Sequence, residues 1–147
     1  MKNLLRNVKV SRVNDGEADA TGTYYSDIVD MEGFEGVVFI AKFEDVDSGA
    51  VLTLSAQQDA VNATANMADL TGNATHTATD ATEADDDLLV LDLYRPTNQY
   101  VRAKVVVATE AAQLESIVAI QYGAAKAPVT QPATVMDSDT LASPAES

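Results

Sequence analysis

An antiparallel β-sandwich or jelly-roll-like domain, all-β and carrying extended N- and C-terminal arms, is the fold class this sequence predicts. Three observations lead there. Short runs alternating apolar and polar residues follow one another from about residue 21 to residue 123, punctuated by Gly, Pro, Asn and Asp. No helical period longer than about three turns interrupts them, and no strand–helix alternation suggests a parallel sheet. The length, 147 residues, is one domain's worth. The expected organisation is a basic N-terminal segment over 1–20, a β-sandwich over 21–125 and an extended arm over 126–147.

Each element has its own justification. In Gly36–Glu44, Val37, Phe39, Ala41 and Phe43 fall on one face and Val38, Ile40, Lys42 and Glu44 on the other. Asp45-Val-Asp-Ser-Gly49 has turn composition, and Val51–Gln58 follows with Leu52, Leu54 and Ala56 in phase, so the two strands read as a hairpin. Asn62–Asp86 is rich in Ala, Thr, Asn and Asp and reads as a long excursion, with short strands at most near Ala68–Leu70 and Thr75–Thr79. Asp87–Tyr94 places Leu89, Leu91 and Leu93 on one side and stops before Pro96, which has no N–H to give a ladder. Tyr100–Ala108 resumes with Val101, Ala103, Val105 and Val107 inward, opposite a partly basic face of Tyr100, Arg102, Lys104 and Val106. Leu114–Tyr122 fits both periods. Leu114, Ile117, Val118 and Gln121 suit a helix; Ser116, Val118, Ile120 and Tyr122 alternate as in a strand, the reading adopted. The expected core is Val37, Phe39, Phe43, Leu52, Leu54, Leu89, Leu91, Val101, Val105 and Val118. After Gly123, Pro128, Pro132 and Pro144 space a segment with no apolar period. It reads as an extended arm able to lie along a neighbour or add a strand to its sheet, with a disordered tail as the alternative.

Composition narrows the function. Nine Lys and Arg against 23 Asp and Glu give a formal charge of −14. That balance argues against a nucleic-acid or anionic-membrane partner. With no cysteine, thiolate metal sites, iron–sulfur clusters and a catalytic thiol are excluded. Apolar runs such as Val37–Ala41 and Leu88–Leu91 are far shorter than the roughly 20 residues of a membrane helix. Lys2, Arg6 and Lys9 interrupt any apolar stretch near the N-terminus, so a secretory leader is not expected.

Local chemistry is sparse. The run Asp80–Asp87 holds five carboxylates but lacks the Gly and terminal Glu of an EF-hand loop, and reads as a solvated acidic turn. His76, the single histidine, has no acid nearer in sequence than Asp80 and reads as an incidental surface residue. No catalytic, cofactor-binding or metal-ligating residue is predicted, and the chain is not expected to be an enzyme. What remains is a surface. Lys2, Arg6, Lys9 and Arg12 make the N-terminus basic, while Tyr94, Arg95, Tyr100 and Arg102 surround one turn. Either Tyr94 and Tyr100 cover the end of the core, with Asp92 paired to an arginine, or the turn forms an intermolecular contact, since Tyr and Arg are enriched at interface hot spots. With Pro128 and Pro132 of the arm, these are the candidate interface residues.

Several segments taken together are similar to a known group. Asp30-Met-Glu-Gly-Phe-Glu-Gly36 before an apolar strand, Ser55-Ala-Gln-Gln58, Asp92-Leu-Tyr-Arg-Pro96 with Tyr100-Val-Arg102, Ile117-Val-Ala-Ile-Gln-Tyr-Gly123 and Ser143-Pro-Ala-Glu146 resemble the capsid decoration, or cement, proteins encoded among the head genes of tailed bacteriophages. The resemblance spans most of the chain, although Asn62–Asp86 departs from it. It implies a structural virion protein without cofactors that binds the major capsid protein on the outer capsid surface. It also implies synthesis in the host cytoplasm and self-association, with a trimer favoured. A head–tail adaptor or fibre-base component is the nearest rival. A carbohydrate-binding β-sandwich module is the rival from another class, although such modules usually stack sugars on Trp and this chain has none.

Overall fold

The computed structural model describes residues 3–141. A single-turn helix α1 (Leu4–Asn7) precedes nine strands: β1 (Lys9–Asn14), β2 (Ala20–Tyr25), β3 (Val29–Asp30), β4 (Gly36–Val46), β5 (Val51–Asp59), β6 (Ala68–Asp69), β7 (Ala74–Thr77), β8 (Leu88–Tyr94) and β9 (Tyr100–Tyr122). All pairings are antiparallel. The all-β sandwich predicted from the alternation is the architecture observed.

The organising element is β9. Its 23 residues would extend about 75 Å if straight, well beyond the roughly 40 Å breadth of a domain this size. It therefore bends, and its halves belong to different layers. The first half pairs β5 on one side, from Asp59↔Tyr100 to Val51↔Ala108, and β2 and β3 on the other. The second half pairs β4, from Gly36↔Tyr122 to Val46↔Ala112, and on its other side β1, from Lys9↔Gln121. The first sheet is thus β6 and β7 on β5, then β9, then β2 and β3. The second runs β8-β4-β9-β1. At the corner Thr109 takes φ 72°, a strained conformation for a β-branched residue.

This arrangement changes four sequence expectations. The expected hairpin is absent: β4 and β5 do not pair with each other but lie end to end along one side of β9, because the Asp47–Ala50 turn carries the chain from one sheet to the other. The runs 100–108 and 114–122 are one strand. Inside it the phase changes: Lys42 faces Ser116 but Phe43 faces Leu114, leaving Glu115 as an extra residue. A bulge of one residue exchanges the two faces, so Ile117 and Ala119 point inward and Val118, expected in the core, points outward. Lastly, the basic segment 1–20 is built into the sheet through β1 rather than standing apart.

The core otherwise follows the alternation. Val37, Phe39, Ala41 and Phe43 of β4 meet Leu52 and Leu54 of β5, Val101, Ala103, Val105 and Val107 from the first half of β9, and Leu114, Ile117 and Ala119 from its second half. Leu89 and Leu91, also expected inside, pack against this cluster but are only half-buried, as is Leu93, because β8 is an edge strand.

The C-terminal arm lies along the chain's own β1. Val129 N–H donates to the Arg6 carbonyl at 2.9 Å. The Gln131 side chain accepts from Val10 N–H at 2.9 Å and donates to the carbonyls of Val8 at 2.7 Å and Leu5 at 3.1 Å, while Thr134 Oγ1 accepts from Arg12 N–H at 3.2 Å. An edge strand with open N–H groups templates foreign pairing; here the arm's side chains occupy them.

Candidate docking face

The outward faces of the two sheets differ in kind. On the first, the Arg102 guanidinium stacks on the Tyr25 ring at 3.9 Å and its Nε donates to Gln57 Oε1 at 2.7 Å. Gln57 Nε2 donates to Asp69 Oδ1 at 2.7 Å, and Lys104 Nζ reaches the same carboxylate at 3.1 Å. These bonds, Gln57's first and then Lys104's, hold the Asp69 carboxyl below its ordinary pKa. The network is polar and internally satisfied, so it asks for no partner.

The second sheet presents apolar rows. Cross-strand register places Val90, Ile40 and Val118 side by side across β8, β4 and β9, with Asp92, Val38, Ile120 and Val10 in the next row. Leu88, Val90 and Tyr94 are each more than half exposed; Val38, Ile40, Val118 and Ile120 are half-buried by one another. The charges bordering them are internally paired. Lys42 bridges Glu115 and Asp86. Tyr122 donates its hydroxyl to Asp92 at 2.5 Å. Burial, then that bond, pushes the phenol above its ordinary pKa, so it stays a donor. Its ring lies over Gly36, where a Cβ would sit 2.3 Å from the ring.

The predicted interface residues do not form one surface. Tyr94 and Arg95 are exposed at the end of β8, with the guanidinium 5.1 Å over the tyrosine ring and 3.7 Å from Glu35. Arg6 and Arg12 are exposed and Lys9 half-buried at the opposite edge; Arg12 pairs with Asp15 at 3.5 Å. There they adjoin Pro128, exposed, and Pro132, half-buried. Lys2 lies outside the described residues. Tyr100 is half-buried and pairs in the first sheet. Arg102 is a correction: its outward phase is as expected, but Tyr25 and Gln57 cover it to 9% exposure, removing it from any contact surface. The end of the core is not closed by Tyr94, and Asp92 pairs with a tyrosine rather than an arginine.

The acidic run is structural. Asp80 Oδ1 accepts from the N–H groups of Thr82 and Glu83, both at 2.9 Å, which lowers its pKa. Asp85 accepts from Val46 N–H at 2.9 Å, and Asp86 faces Lys42. His76 is not incidental: Glu83 lies 2.8 Å from its Nε2, in a groove of about 510 Å³ between β7 and β8. Glu83 itself is held below its ordinary pKa by bonds from Thr79. Among the described residues no cluster of three or more His, Cys, Asp or Glu is placed to hold a metal ion.

The alternation places Val38 and Ile40 on the face away from the core, but the sequence reading put Val118 inside and named none of Val38, Ile40, Val90, Val118 and Ile120 as a contact surface, yet a signal for one exists. Val37–Ala41, Leu88–Leu91 and Ile117–Ile120 are unbroken apolar runs. Such runs belong to strands covered on both faces; a solvated sheet face gives clean alternation.

No family model and no curated protein matches the sequence. Among solved structures, the PBSX exported protein XepA is similar at TM-score 0.52 and 16% identity over 97% of this chain and 46% of that one, so the chain spans about half of XepA's length. A structure of infectious bursal disease virus Gx strain gives 0.45 and 11% over 78% of this chain and 32% of that one. A structure of Bacillus endospore appendages gives 0.43 and 12% over 83% and 93%. The likeness to XepA shows the fold, an antiparallel β-sandwich.

Proposed function

We propose that this chain is a structural, non-enzymatic subunit of a tailed-bacteriophage particle that sits on the outer capsid surface and braces it, with the major capsid protein as its partner. The observation that carries the reading is the apolar outward face of the second sheet, set against the satisfied polar face of the first. A solvated sheet does not keep Val38, Ile40, Val118 and Ile120 in contiguous rows without something to cover them. The resemblance to decoration proteins supplies the class of partner. A shell repeats one docking site many times, and a subunit contacting neighbouring capsomers binds at high effective concentration even when each contact is weak.

Purified protein added to undecorated shells tests this. Bound protein should co-sediment, and Ile40→Asp should weaken binding at least about tenfold, because it sets an unpaired carboxylate between Val90 and Val118 in the apolar row. Thr23→Asp, on the outward side of the first sheet, should bind as the parent does. Equal binding by both variants, with unchanged thermal melting, removes this face from the contact. Binding to necks or tails but not shells assigns the chain to an adaptor.

A further inference from the structure

We propose that β8 pairs with β8 of a second copy of this chain, antiparallel about a two-fold axis, joining two second sheets into one. The argument begins with the backbone. Arg95 N–H donates to the Glu35 carbonyl at 2.8 Å and Phe43 N–H to the Asp87 carbonyl at 3.1 Å, and the register between β4 and β8 is unbroken from Gly36↔Tyr94 to Lys42↔Leu88. In an antiparallel ladder, alternate residues therefore turn their backbone groups toward β4, and Leu88, Val90, Asp92 and Tyr94 turn theirs away. No other strand pairs with β8 among the described residues. The remaining edge of the same sheet is occupied by the arm through Gln131 and Thr134, so the molecule guards β1 and leaves β8 open. β8 also carries none of the devices that blunt an edge: Leu88-Leu-Val-Leu-Asp-Leu-Tyr94 has no Lys, Pro or bulge. Its one charge, Asp92, is engaged by Tyr122.

Self-pairing is favoured by complementarity. The register that uses every open group sets Leu88 against Tyr94 of the second copy and Val90 against its Asp92, so no like charges face each other. One residue further out, Asp87 at the start of one strand meets Arg95 at the end of the other. Both are exposed, and Asp87 belongs to an acidic run while Arg95 is the first base after it. On the opposite side Leu91 meets its own copy and Leu89 meets Leu93, which covers the half-buried leucines of the edge. At physiological salt the overall charge of −14 is screened within about 8 Å, so these local pairs decide the contact. An isologous pairing of this kind closes as a dimer and leaves no growing fibre. It replaces the trimer implied by the resemblance and stands whether or not the particle is a phage capsid.

Sedimentation of the full chain from micromolar to near-millimolar concentration tests the proposal, together with amide exchange at residues 88–94. A two-chain species is expected, with the amides of Leu88, Val90, Asp92 and Tyr94 protected in proportion to its population. Val90→Asp, which sets a carboxylate against Asp92 of the second copy, and Arg95→Asp should each return one chain, and Asp87→Arg added to Arg95→Asp should restore two. A one-chain mass at every concentration overturns the proposal, as does a dimer that Val90→Asp leaves intact or whose four amides exchange freely. Exchange on the parent protein reads the same edge even where a variant fails to fold.

Discussion

Replacing Gln131 by Ala isolates what the arm does for the sandwich. One side chain in the arm makes three hydrogen bonds to β1 and the turn that leads into it: from Val10 N–H at 2.9 Å in the strand, and to the carbonyls of Val8, just before it, and Leu5 of α1 at 2.7 and 3.1 Å. Val8 is 1% exposed, so its carbonyl has little access to replacement water, while the other two sites are only partly buried. At about 0.5–1.5 kcal/mol for each bond, with the shallower ones partly recovered by solvent, the loss should be about 1–3 kcal/mol. Urea denaturation followed by far-UV circular dichroism would read this as a lower midpoint at unchanged slope. Gln131→Glu sharpens the test. Its carboxylate still accepts from Val10 but faces two carbonyl oxygens, so at neutral pH it should be less stable than Gln131→Ala. It should recover in acid, where a protonated carboxyl donates to one of them. A loss below about 0.5 kcal/mol for Ala, or Glu no worse than Ala at neutral pH, would show that the arm does not hold this edge.

Three further outcomes are expected. Phe39, fully buried between the sheets, should cost about 3–5 kcal/mol when cut to Ala; a loss under about 1 kcal/mol by denaturant melting would contradict the packing described. Gly36→Ala should destabilise by about 1–3 kcal/mol by driving the Tyr122 ring from its place, and Tyr122→Ala in the same chain should return most of it; no return would sink the steric explanation. Asp80 and Glu83 should titrate below their ordinary values of 3.8 and 4.5, as followed by carboxyl carbon NMR. Because folding depresses both, the stability they contribute is complete above those values and lost as pH falls through the folded-state ones; titration at or above the ordinary values would show that the Asp80–Asp87 turn is not organised as described.

Much of the fold is legible in the amino-acid order, and the losses have identifiable causes. Period two places Phe39, Leu54 and Val105 correctly because one buried face and one polar face leave a strong signal. It fails at Val118 because the extra residue at Glu115 exchanges faces, and no residue type announces a bulge that a partner strand imposes. The hairpin reading fails because an Asp-Ser-Gly turn looks the same whether it reverses a strand or changes sheets. Pairing with β9 decides between them, and that contact is distant in sequence. Of the apolar rows on the second sheet only Val118 was expected in the core; the unbroken runs that carry the others were visible but not read as a covered face, since composition tells how many faces are covered and not by what. Arg102 illustrates the reverse case: its outward phase was right, and Tyr25, brought alongside by β2, hides it together with Gln57 of β5.

The single strand that serves both layers has a mechanical meaning. In a sandwich whose sheets touch only through side chains, a pull on one layer is resisted by packing, which slides at low cost. Here the layers share a covalent chain, and β9 is flanked along most of its length by antiparallel neighbours on both sides. A load applied to the outer face of one sheet travels along that chain into the other, where it is opposed by many ladder bonds in shear rather than opened one at a time. The corner at Thr109 is the point where that load changes direction, and its strained backbone makes it the place where the strand should yield first.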